Sequence, residues 1–313
     1  MSGPVDRADA PPTAVEADVA AVPTLEITPS REAAVGTMTV RRALPRRQRR
    51  TVGAWCFVDH MGPVTVSQQH PVQIGPHPHI GLHTVTWLLS GEMVHRDSLG
   101  SEQVIRPGQL NLMTAGNGIA HSEQMTKQYA GSMHGVQLWV AQPEETRFGK
   151  SGFEHHADLP QAELRGAVAT VIVGAFADVT SPARTDTAMV GVELEMREGD
   201  STIPLQPDFE YAVVVVDGAV QIEEQTAAPG ALAYLGVGRE ELTLSAAEPT
   251  RLLLLGGEPF GEPVFMWWNF VTRTREEVEA ARLAWESVDE RFTDVDWTLP
   301  RIPAPELPWV SRR

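Results

Sequence analysis

The chain has 313 residues, enough for one large or two ordinary domains, and its hydrophobic fraction of 42% provides a core of normal size. The formal net charge of -16 gives it no general attraction to a phosphate backbone, so direct nucleic-acid binding is not expected. The single cysteine, Cys56, excludes an internal disulfide and any metal site built from several thiolates, and it fits a reducing, cytoplasmic location.

The first part of the chain, residues 1–23, is rich in Ala, Pro and Asp. It lacks the apolar segment of a secretory signal, and its composition predicts a disordered tail. No run in the chain approaches the roughly 18 apolar residues that cross a membrane, so no membrane association is expected. Regular structure is therefore expected to begin near residue 24.

Six arginines stand between Arg41 and Arg50. Such a run is either a contact for a protein partner or a solvated loop whose charges offset an acidic surface. Pro45 interrupts any helix through the run, which favours the loop. Binding of a protein partner at this cluster is the second interpretation.

Short apolar runs separated by turn residues characterise the chain from about residue 51. This pattern, in a chain with 26 Gly and 24 Pro, is typical of an all-β fold with short strands. Residues 144–166 are polar and irregular, which predicts a connector. The strands and strand–turn units predicted in the first half are Thr84–Gly91, Gln103–Gly108, Leu110–Gly116 and Met133–Ala141.

Two pairs of metal-ligand residue types stand close together in the first half. His77 and His79 form one pair, and His121 and Glu123 form the other. Each pair has the i, i+2 spacing that puts both side chains on one face of a β-strand. On facing strands the pairs would converge into three imidazoles and one carboxylate, which suit a divalent first-row metal and leave coordination positions free. We expect one divalent ion, with Fe(II) as the first choice and Ni, Cu, Zn, Mn and Co as alternatives.

His83 shares the parity of His77 and His79, so a regular strand would point it inward as well. It would then stand about 13 Å along the strand from His79, so ligation would need a bend, for which Gly81 is the candidate. We therefore expect His83 to line the pocket or support the ligands without binding the metal. Three other residues are expected to be structural or part of the core: His95, His134 and Cys56.

The sequence contains a weak internal repeat. The segment Leu88–Gly91 resembles Val215–Gly218, and Arg106–Gly108 resembles Ala228–Gly230, as expected for two copies of one β unit. The second copy carries none of the candidate ligands at the matching positions, so it should hold no metal of this kind. Those positions are Pro204, Gln206, Thr243 and Ser245.

A helix is predicted near the C-terminus. Thr274 and Glu277 fit a capping box, and an apolar face extends the helix to about Glu286. The segment after it, residues 297–309, is proline-rich and predicts an extended strap that lies on the body of the protein.

Taken together, the motifs resemble the pirin family of bicupins, over nearly everything from about Leu25 to Trp285. The matching segments are His77–His79 with Gly81 and Thr84, Arg106–Gly108, Thr114–Glu123, His134–Trp139 and Asn269–Glu277. The resemblance implies an all-β bicupin: two antiparallel, jelly-roll-type β-barrels packed face to face, with a short C-terminal helix. It also implies one metal, held in the N-terminal barrel by His77, His79, His121 and Glu123. Pirins often have Glu where this chain has His83.

The family resemblance also implies an activity. Quercetinase-like pirins open the heterocycle of a flavonol with dioxygen and release carbon monoxide, which makes a flavonol and dioxygen the expected small-molecule partners. In that reaction Glu123 is the expected catalytic residue, because it could take the proton of the flavonol 3-hydroxyl. The alternative is a metal-dependent, redox-sensing protein that regulates transcription or metabolic partners without turnover.

The expected organisation follows from these segments. It comprises a tail (1–23), a metal-binding N-terminal cupin (24–145), a connector (146–166), a C-terminal cupin without metal ligands (167–270), and a helix with an extended tail (271–313).

Overall fold

The computed structural model describes residues 23–293 and 299–309. The predicted disordered tail lies outside these ranges except for its last residue, as do the first residues of the predicted strap. The strands up to residue 156 are β1 (Glu26–Thr28), β2 (Arg31–Val35), β3 (Met38–Leu44), β4 (Trp55–Val66), β5 (Gln73–His79), β6 (Leu82–Ser90), β7 (Met93–Asp97), β8 (Glu102–Ile105), β9 (Leu110–Thr114), β10 (Ile119–Met125), β11 (Gly131–Ala141) and β12 (Gly152–His156).

The later strands are β13 (Gln161–Leu164), β14 (Ala167–Phe176), β15 (Val179–Thr180), β16 (Met189–Met196), β17 (Gly199–Pro204), β18 (Glu210–Asp217), β19 (Val220–Ile222), β20 (Gln225–Ala227), β21 (Leu232–Gly236), β22 (Glu241–Ala246), β23 (Thr250–Gly257), β24 (Phe265–Trp267) and β25 (Phe270–Thr272). Helix α1 spans Arg275–Glu286, and a 3-10 turn spans Glu290–Phe292. Within the described ranges, no helix is long and apolar enough to cross a membrane.

Two antiparallel sheets form the first barrel. The large sheet has the strand order β12-β9-β6-β11-β4-β3-β2, and the small sheet has the order β5-β10-β7-β8. Apolar side chains from both sheets pack together in the barrel, among them Val40, Met61, Ile74, Leu88 and Met125. The strands that carry the candidate ligands, β5 and β10, are neighbours in the small sheet.

The second barrel repeats this arrangement. Its large sheet contains the order β21-β18-β23-β16-β14, which matches β9-β6-β11-β4-β3, and its small sheet has the matching order β17-β22-β19-β20. The predicted repeat is therefore present in the fold. Where the first barrel carries candidate ligands on β5 and β10, the buried side chains of β17 and β22 include Ile203, Leu242 and Leu244 in an apolar cluster.

The large sheets of the two barrels pack against each other. Val85, Trp87 and Leu89 of β6 belong to one apolar cluster with Val214 and Leu253 of the second barrel. Strand β6 is buried on both faces: Val85, Trp87 and Leu89 face the second barrel, and Thr86 and Leu88 face the inside of the first. The predicted all-β bicupin with two face-to-face barrels is confirmed.

Edge strands depart from the organisation expected from the sequence. Residues 146–166, expected to be a connector, contain β12, which pairs with β9 of the first barrel, and β13, which pairs with β14 of the second. Strand β1, expected in the first unit, pairs with β21 of the second barrel. All three strands lie at sheet edges and are largely half-exposed or exposed. Their sequences therefore lack the apolar runs that identify central strands.

The C-terminal segment packs on the outside of the first barrel. Helix α1 begins as predicted, with Thr274 Oγ1 accepting a hydrogen bond from the backbone N–H of Glu277 at 3.3 Å. Its buried face lies in a cluster with Ala120 of β10 and Ala304 of the later tail. The Ile302 N–H donates to the Pro76 carbonyl at 2.9 Å, so the tail holds the strand that carries His77 and His79.

Candidate metal centre

Neighbouring strands bring the predicted histidines together. In the antiparallel pairing of β5 and β10, His121 lies opposite His77, and Ile119 lies opposite His79. The nitrogen atoms of His77, His79 and His121 all lie within 4.8 Å of one another, and all three rings are buried. The i, i+2 spacing therefore has the expected effect, because the side chains of both His77 and His79 lie next to His121.

Backbone carbonyls fix the orientation of two of these rings. The Nδ1 atom of His77 lies 2.8 Å from the Gly75 carbonyl, and that of His79 lies 3.0 Å from the Asn269 carbonyl. Because a carbonyl only accepts, Nδ1 of each ring carries the proton and donates it. In a neutral ring this leaves the Nε2 lone pair free, which is the form that binds a metal.

Burial keeps these imidazoles neutral. Desolvation, reinforced by neighbouring groups, lowers the pKa of His77 to about 3. The same burial, together with repulsion from His77 and the other rings, holds the pKa of His79 and of His121 well below the ordinary value. At neutral pH the cluster therefore presents neutral nitrogen donors.

The spacing of the donors fits a metal ion. The Nε2 atoms of His79 and His121 lie 3.0 Å apart. Two unprotonated nitrogens at that distance repel unless a proton or a cation lies between them. Two nitrogen ligands each about 2.1 Å from one ion and at right angles to each other are about 3.0 Å apart, so the pair matches adjacent positions around a single ion.

Glu123 lies in a second, overlapping group. Its carboxylate is within 4.8 Å of nitrogen atoms of His121 and His95, and all three side chains are buried. Thr86 donates a hydrogen bond to Glu123 Oε1 at 3.2 Å, and its Oγ1 lies 3.0 Å from Gln137 Oε1. Burial raises the pKa of Glu123, and the Thr86 hydrogen bond partly offsets this rise. A carboxyl group in this state is suited to taking a proton.

A small cavity adjoins the donors. Its volume is about 30 Å³, enough for a molecule of the size of water or dioxygen. The four predicted ligands lie on its wall, together with Val35, Val40, Phe57, Asp59, Met61, Ile74, Gln137 and Trp139. One polar residue of the wall, Asp59, accepts two hydrogen bonds from Arg42, from Nε to Oδ1 at 2.7 Å and from Nη2 to Oδ2 at 2.6 Å.

The structure places His83 away from this group. Its Nδ1 lies 2.9 Å from Thr114 Oγ1, and its Nε2 lies 3.0 Å from Asp186 Oδ2. Gly81 has a φ of +67° and separates β5 from β6, so the inward parity of β5 does not continue into β6. Thr86 of β6 points to Glu123 instead, and His83 does not line the cavity, unlike the expected pocket-lining position.

His95 is nearer to the centre than the sequence indicated. It was expected to be structural, but strand pairing places it opposite Glu123, and Asp97 lies opposite His121. The His95 ring also stacks on Phe153 of β12, with centroids 4.3 Å apart. A signal was present in the sequence: His95 and Asp97 have the same i, i+2 spacing as the recognised ligand pairs.

The other singled-out residues lie elsewhere. Cys56 is buried, and desolvation raises the pKa of its thiol to about 12, in keeping with its expected core role.

Within the arginine cluster, Arg42 is buried against Asp59, and Arg49 forms a salt bridge with Glu26 at 2.9 Å. Of the six arginines, Arg47 alone is exposed and the other five are buried or half-buried, so the cluster is not a continuous cationic surface.

Comparison with known proteins places the chain in a family. The family model described as Pirin matches residues 37–140, and the model described as Pirin C-terminal cupin domain matches residues 190–292. A Pseudomonas aeruginosa protein named "Putative quercetin 2,3-dioxygenase" is 45% identical over 276 residues, covering 88% of this chain and 87% of that one. A Caulobacter vibrioides pirin-like protein is 37% identical, with 87% and 96% of the two chains covered.

A solved structure agrees with these matches. The crystal structure of a quercetin 2,3-dioxygenase from Acinetobacter baumannii superposes with a TM-score of 0.88 at 43% identity, covering 92% of this chain and 97% of that one. Together with the histidine and glutamate groups, the cupin fold indicates a divalent metal. Over both of its barrels, the chain belongs to the pirin family.

Proposed function

We propose that the protein is a metal-dependent flavonol dioxygenase that uses one Fe(II) ion held by His77, His79, His121 and Glu123. The observation that carries the proposal is the convergence of three buried, neutral imidazoles beside a carboxylate and a cavity. When bound, such an ion supplies Lewis acidity and one-electron chemistry toward dioxygen. The similarity to quercetin 2,3-dioxygenases supports a flavonol as the substrate class.

In the proposed reaction, one dioxygen adds to the flavonol, the heterocycle opens, and carbon monoxide leaves. Both oxygen atoms of dioxygen remain in the products. Glu123 takes the proton of the flavonol 3-hydroxyl, which lets the substrate bind as an anion. The carboxylate is suited to this role because Asp59, the other acid on the cavity wall, is already bound by Arg42.

Apolar walls would exclude water and hold the aromatic substrate. Phe57 and Trp139 stack with centroids 4.0 Å apart and both line the cavity. The cavity of about 30 Å³ is nevertheless well below the roughly 300 Å³ of a typical small-molecule pocket, so its wall must open to admit a flavonol. The wall is proposed to open at the seam between Val35 of β2 and Ile74 of β5. At this seam the edge strand of the large sheet, β2, lies beside the edge strand of the small sheet, β5.

Anaerobic reconstitution with Fe(II), followed by admission of oxygen, tests the proposal. We expect oxygen-dependent loss of flavonol absorbance and release of one carbon monoxide per flavonol consumed. A Glu123→Gln variant should lose about 10²–10⁴-fold in rate. Absence of turnover with Fe(II), Ni, Cu, Zn, Mn and Co would reject the dioxygenase proposal.

A second candidate function is a metal-dependent redox sensor that binds a protein partner without turnover. The small volume of the cavity favours it, because a site with room only for dioxygen-sized molecules suits a sensor. Reversal of the exposed Arg47 to Glu, with a pull-down before and after oxidation, tests whether the arginine cluster forms the contact. An unchanged set of partners would exclude the exposed part of that cluster.

A further inference from the structure

A chain of three buried side chains leads away from the candidate metal centre. Asp97 Oδ2 lies 3.0 Å from His95 Nε2, and His95 Nδ1 lies 3.4 Å from His121 Nδ1. None of the three residues is more than 3% exposed. His95 and Asp97 come from β7, which pairs with β10, so the sheet itself sets the spacing.

Asp97 is the fixed end of this chain. Its Oδ1 accepts hydrogen bonds from the backbone N–H groups of Leu99 and Ser101 at 2.9 and 3.1 Å. Burial alone would raise the pKa of Asp97, but the hydrogen bonds from His95 and Ser101 hold that pKa below its ordinary value. Asp97 is therefore a carboxylate, which can only accept.

With a neutral His95, the direction of both hydrogen bonds follows from the Asp97 end. Because Asp97 accepts, His95 donates its Nε2–H, and the Nδ1 of a neutral His95 is then an acceptor. His121 must place its proton on Nδ1 to donate to it. The Nε2 of His121 is left as a free lone pair on the side that faces His79.

We propose that Asp97 and His95 are positioning residues that set the tautomer and orientation of His121 for metal binding. The inference rests on the proposed metal site. His77 and His79 are oriented by backbone carbonyls, whereas no carbonyl hydrogen bond to the His121 ring is found in the described ranges. Asp97 and His95 thus fix the tautomer and orientation of the His121 ring, as the backbone carbonyls do for His77 and His79.

Asp97→Asn is the most discriminating variant. Asn keeps an oxygen for the Leu99 and Ser101 amides, and it turns an NH₂ group toward His95 Nε2. His95 would then carry its proton on Nδ1, and His121 would have to move its own proton to Nε2, which removes a ligand. His95→Phe keeps the stacking on Phe153 but removes the acceptor, whereas His95→Gln keeps an acceptor oxygen.

The first readout is histidine NMR of the metal-free, ¹⁵N-histidine-labelled protein. We expect His121 to be protonated at Nδ1 in the wild type and at Nε2 in Asp97→Asn. The second readout is the dissociation constant for Ni(II), measured in competition with a chelator. We expect Asp97→Asn and His95→Phe to weaken binding by about 10–100-fold and His95→Gln to retain most of the affinity.

A matched control is available on β12. His156 and Glu154 have the same i, i+2 histidine–carboxylate spacing, with His156 Nε2 3.0 Å from Glu154 Oε2, but they lie outside the cluster. His156→Ala should leave the Ni(II) affinity within twofold of the wild type. If Asp97→Asn misfolds, the His95→Phe and His95→Gln pair still decides the matter.

The possible outcomes separate the two claims. If the wild type binds no Ni(II), the proposed metal site fails, while the NMR readout still tests the tautomer. If wild-type His121 carries its proton on Nε2, or if Asp97→Asn and His95→Phe bind Ni(II) as tightly as the wild type, the positioning role is wrong.

Discussion

The Nε2 atoms of His79 and His121 face each other at 3.0 Å inside the first barrel. Both residues are only 1% exposed, so water does not screen the repulsion between their lone pairs. The folded state thus keeps donors together that an unfolded chain would separate. A cation that binds between them should therefore stabilise the folded state.

Metal binding should raise the stability of the whole protein. Ni(II) at a free concentration of 100 times its dissociation constant should add about 2.7 kcal/mol to the free energy of unfolding, measured by urea denaturation. His79→Ala should abolish the gain. Mg²⁺ at the same concentration is the control and should have no effect, because it prefers oxygen ligands. Equal stabilisation of His79→Ala would show that Ni(II) binds elsewhere.

The seam between β2 and β5 should control flavonol access. Val35 is 6% exposed and lines the cavity at that seam. Val35→Trp should lower flavonol turnover at least tenfold while leaving the Ni(II) affinity unchanged, because the donors lie deeper in the barrel. Val64→Trp serves as a control, since Val64 is 41% exposed and does not line the cavity. Full activity of Val35→Trp would place the entry elsewhere.

Replacing His83 by Glu, the residue that pirins often carry at this position, should lower the free energy of unfolding and leave the metal site unchanged. His83→Glu would place a second carboxylate against the buried Asp186. We expect a loss of about 3 kcal/mol or more in the free energy of unfolding, partly recovered by adding Asp186→Asn. The Ni(II) affinity should stay within twofold. A changed affinity at unchanged stability would make His83 part of the metal centre.

His60 should make the protein sensitive to acid. Its Nε2 lies 2.7 Å from His134 Nε2, and burial, with repulsion from Arg41 and His134, lowers the pKa of His60 to about 3. Burial lowers the pKa of His134 as well; Asp217 opposes this effect, and Arg41 and Arg251 add to it. An unfolded histidine binds a proton below its ordinary pKa of about 6.5, whereas the folded His60 does not until about pH 3. Stability is therefore lost as the pH falls from 6.5 towards 3.

The comparison of pH 7 with pH 5 tests this effect. His60→Gln removes the titrating group and keeps a hydrogen-bonding side chain beside His134. The stability lost between these two pH values should be smaller in His60→Gln by up to about 2 kcal/mol, measured by urea denaturation. Identical losses in the two proteins would assign the acid sensitivity to other histidines.

The sequence predicted the central part of this structure because local rules apply there. The i, i+2 spacing of His77 with His79 needs only a regular strand, and the capping box at Thr274 needs only one helical turn. The repeat predicted two similar units because core strands retain their apolar runs. Residues that obey such short-range rules can be placed without knowing the tertiary structure.

The predicted positions of two residues, His83 and His95, were wrong because contacts between strands determine where these side chains lie. The parity that pointed His83 inward was interrupted at Gly81, whose positive φ turns the chain between β5 and β6. His95 acquires its neighbours from the pairing of β7 with β10, which sequence spacing within one strand does not reveal. The edge strands β12 and β13 were not predicted for a related reason, because partial exposure removes their apolar signal.

The most direct test of the central claim is the metal stoichiometry of the purified wild-type protein and of His121→Ala. Protein made metal-free and titrated with Fe(II) under anaerobic conditions should bind one ion per chain, with the second barrel contributing none. His121→Ala should bind none at the same concentrations and keep its fold by circular dichroism. A wild type that binds no Fe(II), or a His121→Ala variant that still binds one ion with unchanged affinity, would contradict a single centre built on His77, His79, His121 and Glu123.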